Sequence, residues 1–211
     1  MDLVTSMSEA FSGLIGVIVG ALLSPSIEAI KEQIAKKRRR EYLAIKVSCL
    51  LSLFVDKCAS VAMDDGLSMG QLTPEGQRTK QVNEPDIINF NELDVDWRVL
   101  PPKLLDKIFK LPIEHERRNK KIQSVRLDDL EMRDFSDVFE ERQFQYSIIG
   151  IMAANISNDL RRMYNLNEIN YEEWNPVDFM KTKEKKIRDI REQRGKHNLE
   201  MFNSLNRSLN E

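Results

Sequence analysis

The most apolar stretch of the chain lies near its N-terminus. Residues 13–23 read GLIGVIVGALL, and no charged residue occurs between 10 and 27. As an α-helix these 18 residues span about 27 Å, slightly less than the ~30 Å hydrocarbon core of a bilayer. The pattern predicts a transmembrane helix. A buried hairpin helix, or a helix lying in the membrane interface, is the alternative, because the run is short without Ser24-Pro25-Ser26.

The residues around this run favour a membrane anchor. No Lys or Arg precedes Lys31, whereas a secretory signal peptide begins with basic residues. The basic run 36–40 follows, which places the N-terminus outside and the remainder in the cytoplasm, at the inner membrane. Glycine costs about 1 kcal/mol in the interior of a water-exposed helix but is common in membrane helices. Gly16 and Gly20 form a GxxxG pair, which predicts a dimerisation face and a homodimer.

The basic run has two interpretations. Beside a membrane helix, each cation contributes about 1 kcal/mol of attraction to anionic lipid headgroups. A nucleic-acid patch is the other interpretation, but no aromatic residues interleave the cations, so we do not expect nucleic acid as a partner. A second basic zone, 181–196, holds eight basic and three acidic residues and is a second candidate for the anionic leaflet. The five residues predicted to contact headgroups are Lys36, Lys37, Arg38, Arg39 and Arg40.

Helical periodicity continues beyond the basic run. Apolar residues recur at spacings of three and four from 43 to 61, and Asp64-Asp65-Gly66 ends this helix. Residues 64–100 hold most of the turn signals and predict a long mobile loop.

The C-terminal half predicts further helices. One begins after Leu100-Pro101-Pro102 and stops near Pro112, and a charged helix follows over 113–126. Ser136 caps a long helix, and Asn175-Pro176 starts a last one that Gly195 interrupts. The predicted core stripe of the long helix is Phe144, Ile148, Met152, Ile156, Leu160 and Met163.

The two apolar stripes, 43–61 and 144–163, match in length and predict an antiparallel pair. We therefore expect an all-α fold, in which an N-terminal transmembrane helix continues into a cytoplasmic antiparallel helical bundle. Scarce Gly (8) and Pro (7) and 41% hydrophobic residues agree with a helical core. The expected organisation is a membrane anchor over 1–30, a basic linker and first core helix over 31–63, the mobile loop over 64–100, and the helical remainder over 101–211.

Three segments carry a resemblance: DVDWRVLPPKLLDKIFKLP (94–112), EERQFQYSIIGIMAANISNDLRRMYNL (140–166) and WNPVDFMKTKEKKI (174–187). They are similar to a loose group of bacterial proteins with one N-terminal membrane helix, a basic stretch and a helical cytoplasmic body. The resemblance spans most of the chain and rests on packing motifs. It implies the anchor and the fold, and it implies no catalytic residues.

Few residues in the sequence are candidates for catalysis, disulfide formation or metal binding. Cys49 and Cys58 lie nine positions apart, or roughly 13 Å along a helix, too far for a disulfide, so we expect two buried thiols. His115 sits between two glutamates of a charged helix, where we expect a solvated surface. No metal-binding or nucleotide-binding motif occurs in the sequence, so we expect neither a metal nor a cofactor.

The sharpest catalytic candidate is Arg191 with His197. Arg followed by His six residues later in an all-α chain is similar to the HEPN ribonuclease motif. There the histidine would transfer a proton and the arginine would bind phosphate. This departs from the motif by Glu192 after the arginine and by Gly195 within it. The expected function is a membrane-tethered interaction or scaffold module with a cytoplasmic protein partner, and the alternative is a membrane-bound ribonuclease effector.

Overall fold

The computed structural model describes the backbone of residues 2–128 and 135–208 and the side chains of residues 27–125 and 135–206. Four α-helices form the architecture, and two short 3₁₀ turns lie between the first two of them. Within the described chain there is no strand, only an isolated bridge between Ser68 and Gln71. The all-α prediction is therefore confirmed. The helices are α1 (Asp2–Met63), α2 (Pro102–Asp128), α3 (Ser136–Met163) and α4 (Pro176–Ser208), and the 3₁₀ turns are Phe90–Glu92 and Trp97–Val99.

Helix α3 lies at the centre of the bundle and contacts each of the other three helices. It runs antiparallel to α1, because Ser157 Oγ donates to the carbonyl of Ser48 while Arg142 reaches Asp64. Helices α2 and α4 are also antiparallel to α3. Lys107 pairs with Asp159, near the end of α3, and Arg191 of α4 pairs with Glu140, near its start. The predicted antiparallel pairing of the two long stripes is confirmed.

The core forms where α1, α2 and α4 meet the central helix. Gly150 of α3 allows the closest approach, since a Cβ there would overlap the Met180 sulfur and lie 2.9 Å from the Cys58 Cβ. The fully buried apolar side chains include Leu43, Val47, Leu51, Cys58, Ile108, Leu111, Ile149, Leu160 and Met180.

Two predicted helix breaks do not occur. Helix α2 continues through Pro112, although proline removes a hydrogen bond and costs about 3 kcal/mol inside a helix. Its neighbours Ile108, Leu111 and His115 are all buried, and this packing holds the two halves in line. Helix α4 likewise continues through Gly195. A Cβ at that position would meet open space.

The core face of α3 differs from the predicted stripe. Ile156 and Leu160 are buried, but Phe144, Ile148 and Met152 are only half-buried and Met163 is exposed. The N-terminal half of α3 buries Arg142, Gln143 and Gln145 instead. Three helices surround α3 and bury polar positions as well as apolar ones. The apolar stripe in the sequence therefore does not show the whole buried face of α3.

Residues 64–100 pack on the bundle through Phe90, Val99 and Leu100, all of which are buried. Residues 27–39 of α1 stand outside the core, and every side chain except Ala35 is exposed. Among the described side chains, no helix offers a stretch apolar and long enough to cross a membrane. The predicted anchor run, with Gly16 and Gly20, lies outside the described side chains.

Candidate functional site

The exposed segment 27–40, here called the basic stalk, is the first candidate site. Lys36, Lys37, Arg38 and Arg39 are exposed on it. Among the described residues, only Lys37 of these four has a carboxylate oxygen within 4.0 Å, that of Glu41 at 3.8 Å. These four cations lie on one turn of an exposed helix and are therefore available to bind a partner.

Arg40 behaves differently from its four neighbours. It is half-buried, and its Nε donates to the carbonyl of Val99 at 3.1 Å. This bond fastens α1 to the second 3₁₀ turn just where the helix leaves the bundle. Arg40 thus positions the basic stalk, whereas the sequence predicted that it would contact headgroups.

The second basic zone, 181–196, is largely neutralised by the chain itself. Five of its eight cations pair with carboxylates: Lys181 with Asp178, Arg188 with Glu184, Arg191 with Glu140 and Glu141, Arg194 with Glu140, and Lys196 with Glu192. Burial lowers the pKa of Lys183, and nearby Lys186 lowers it further. The zone packs beside the start of α3, at the end of the bundle opposite the basic stalk. One membrane surface therefore cannot readily meet both zones.

The structure places Arg191 and His197 in different surroundings on α4. The guanidinium of Arg191 bonds Glu140 at 3.0 Å and Glu141 at 2.6 Å and lies 4.6 Å from the centroid of the Phe144 ring. Burial opposes its charge, but the two carboxylates raise its pKa. His197 is exposed, and six residues of helix place it about 9 Å further along the axis. Arg191 clamps α4 to α3 and is already neutralised.

His115 is buried, contrary to the surface position predicted from its charged neighbours. Its ring packs edge-on against Phe54 and Tyr146, and its Nε2 lies 3.4 Å from the Tyr146 hydroxyl. That hydroxyl donates to Asn119, which leaves its oxygen free to accept a hydrogen bond from the imidazole. Burial lowers the pKa of His115. The ring is thus a neutral core residue.

The most strongly charged buried cluster joins α3 to the loop after α1. Arg142 Nη1 donates to Asp64 at 2.9 Å, Nε donates to Glu84 at 2.8 Å, and Nη2 donates to the carbonyl of Val82. Asp64 also accepts from the amides of Gly66, Gln81 and Val82. Burial raises the pKa of Asp64, but these donors outweigh it and lower the pKa below its usual value. The sequence signal was only that Asp64 ends α1.

A cavity of about 700 Å³ lies over this cluster. Arg142 and Tyr146 line its inner wall, and both are buried and already hydrogen-bonded. Burial raises the pKa of Tyr146 well above its ordinary value, so the phenol stays protonated. Neither of these two side chains is therefore an activated nucleophile. In the part of the chain that the structure describes, no three His, Cys, Asp or Glu residues come together to hold a metal ion.

The two cysteines occupy different environments. Cys58 is buried, and burial raises the pKa of its thiol. Cys49, which we expected to be buried, is exposed because it lies on the outer face of α1. Both are free thiols.

No family model, curated protein or solved structure matches this chain. Its candidate sites are therefore defined by geometry alone.

Proposed function

We propose that this protein is a membrane-tethered interaction module, with its N-terminus outside the inner membrane and its helical bundle in the cytoplasm. The exposed charge on the basic stalk carries the proposal. Lys36, Lys37, Arg38 and Arg39 project from α1 between the apolar run and the bundle. Cations in that position bind anionic headgroups and set the orientation of the preceding helix.

The exposed isoleucines of the basic stalk support the same proposal. Ile27, Ile30 and Ile34 are each about half exposed, although they directly follow the most apolar stretch of the sequence. An interface between lipid and water accommodates apolar and basic side chains on one helix. The resemblance to anchored helical proteins of bacteria agrees with this arrangement.

The ion pairing and burial of the ionisable residues also agree with an interaction role. Arg191 is held by Glu140 and Glu141, and His115 is a neutral residue in the core. These groups stabilise the bundle, so we do not propose the ribonuclease activity.

The test is membrane topology. The full chain, with a reporter fused after Glu211, is expected to resist carbonate extraction and to keep the reporter protected from protease in intact spheroplasts. Neutralising Lys36, Lys37, Arg38 and Arg39 to Gln should produce mixed orientations. The matched control neutralises four α4 cations, Lys181, Lys183, Lys185 and Lys186, and should leave the topology unchanged. Extraction of the wild-type chain by carbonate, or equal effects of the two variants, would refute the proposal.

A further inference from the structure

The outer face of α1 carries large apolar side chains that no other part of the described chain covers. Tyr42 is 58% exposed, Ile45 49% and Leu53 63%. Cys49 lies between them and is also exposed. Soluble surfaces scatter single apolar residues, but a row along one helix marks an interaction surface.

This row continues into the basic stalk. At 100° per residue, Ile27, Ile34, Tyr42, Ile45, Cys49 and Leu53 fall in one sector of about 100° on α1. We call these six residues the outer seam. Two pairs within it, Ile34 with Ile45 and Tyr42 with Leu53, are 11 residues apart, a spacing that shifts a position by only about 20° around the helix.

Lipid cannot cover the whole outer seam. Ile27 and Leu53 are 26 positions apart, which is about 39 Å along the helix. The exposed cations of the basic stalk lie between them, at the level where headgroups meet water. Leu53 and Ile45 are therefore on the aqueous side, and a protein surface must cover them.

We infer that the occupant is a second copy of this chain, whose α1 packs parallel to the first along the outer seam. This inference rests on the proposed function for the direction of the two helices and for the position of the headgroups along α1. Two chains anchored in one bilayer present the same face at the same height, so a two-fold axis along α1 brings each seam residue against its own equivalent. Half-exposed side chains of this size offer on the order of 100 Å² each. Six of them offer roughly 600 Å² per partner, which is about the lower end of the range for a stable interface.

Two charges also lie in the sector. Lys31 and Arg38 would face their equivalents across the seam. Their long flexible stems let the charged ends turn sideways, and both lie at the level where anionic headgroups supply counter-charge. Asp56 follows Leu53 in the same sector and ends the outer seam.

Cys49 provides a built-in reporter. In the parallel pair, each Cys49 faces its equivalent, within the ~7 Å between Cα atoms that a disulfide requires. Membranes containing the full chain are treated with a mild oxidant, which removes two electrons and two protons from the two thiols. We expect a dimer of twice 24.6 kDa on a non-reducing gel, present in C58S and absent in C49S. As a control, C49S/K57C moves the thiol about 80° around the same helix and should not crosslink.

A second pair of variants tests the seam without relying on crosslinking distance alone. Ile45→Arg should lower the crosslinked fraction about tenfold, a loss equivalent to ~1.4 kcal/mol of association. Leu199→Arg makes the same kind of change at an exposed apolar site on α4 and should have no effect. Both variants should keep the helical content of the wild type, because both sites are exposed.

The outcomes separate the inference from the proposed function. Absence of a Cys49 crosslink in membrane-inserted protein overturns the dimer. Crosslinking of I45C to Cys49 of a second chain, without a Cys49–Cys49 crosslink, overturns the pairing of each seam residue with its own equivalent. A Cys49 crosslink in protein that carbonate extracts supports the dimer and refutes the membrane tether.

Discussion

Arg142 should be the most sensitive polar residue of the bundle. Its side chain and that of Asp64 are each only 1% exposed, and three of its N–H groups are bonded to Asp64, Glu84 and the Val82 carbonyl. Arg142→Met keeps most of the stem and removes the charge. Asp64 then stays buried beside the amides of Gly66, Gln81 and Val82 without its cation.

The size of the effect follows from this burial. Removing one partner of a buried ion pair costs about 3–5 kcal/mol, because the remaining charge is uncompensated. For a chain of this length, each kcal/mol lowers the melting temperature by about 2–4 °C. We therefore expect Arg142→Met to melt roughly 10–15 °C below the wild type. In the double variant D64N/R142M the two losses should not add, since the charge that Arg142 compensates is no longer buried.

The assay is thermal unfolding of the full-length protein in detergent micelles, followed by far-ultraviolet circular dichroism. Arg117→Met is the matched control, because Arg117 pairs with Glu114 on the exposed surface of α2 with its own side chain 65% exposed. Such a pair contributes at most about 1 kcal/mol. If Arg142→Met melted within ~3 °C of the Arg117→Met variant, the reasoning about the buried cluster would be wrong.

Further predictions concern the same bundle. Gly150→Ala should destabilise it by about 1–3 kcal/mol through overpacking, because the new Cβ meets Met180 and Cys58. Gly195→Ala, in open space on α4, should instead stabilise by up to ~1 kcal/mol; denaturant titration of both variants checks the opposite signs. The pKa of Asp64 is lowered on folding, so its contribution is complete above the unfolded value of about 4 and is lost as the pH falls through the folded value. Melting curves between neutral and acidic pH should therefore show a smaller acid loss in Asp64→Asn than in the wild type, and an equal loss would contradict this. Arg191→Gln should loosen α4 from α3 and raise hydrogen exchange in α4, while His197→Ala should leave exchange unchanged, because Arg191 contacts Glu140 and Glu141 of α3 whereas His197 is exposed.

The helical class and the antiparallel pairing of the long helices could be predicted from local patterns of residues. Periodic apolar positions in α1 and α3 were enough to predict an antiparallel pair, since burial of an apolar stripe requires a facing stripe. The end of α1 at Asp64 and the start of α4 at Pro176 were also readable, because capping and proline placement act over only a few residues. The charge of the basic stalk could also be read from the sequence, because its cations are neighbours along the chain.

Which charges remain available to a partner depends on how the helices and the loop pack together. Arg40, Arg142 and Arg191 are all basic in the sequence, but one bonds a carbonyl and two bond carboxylates on distant segments. His115 was expected at the surface but is buried, because the face of α2 that carries it is turned towards α1 and α3. The continuity of α2 through Pro112 had the same origin, since packing of its neighbours outweighs a local helix-breaking preference. Contacts between residues far apart in the sequence determine these features, and local sequence patterns do not predict such contacts.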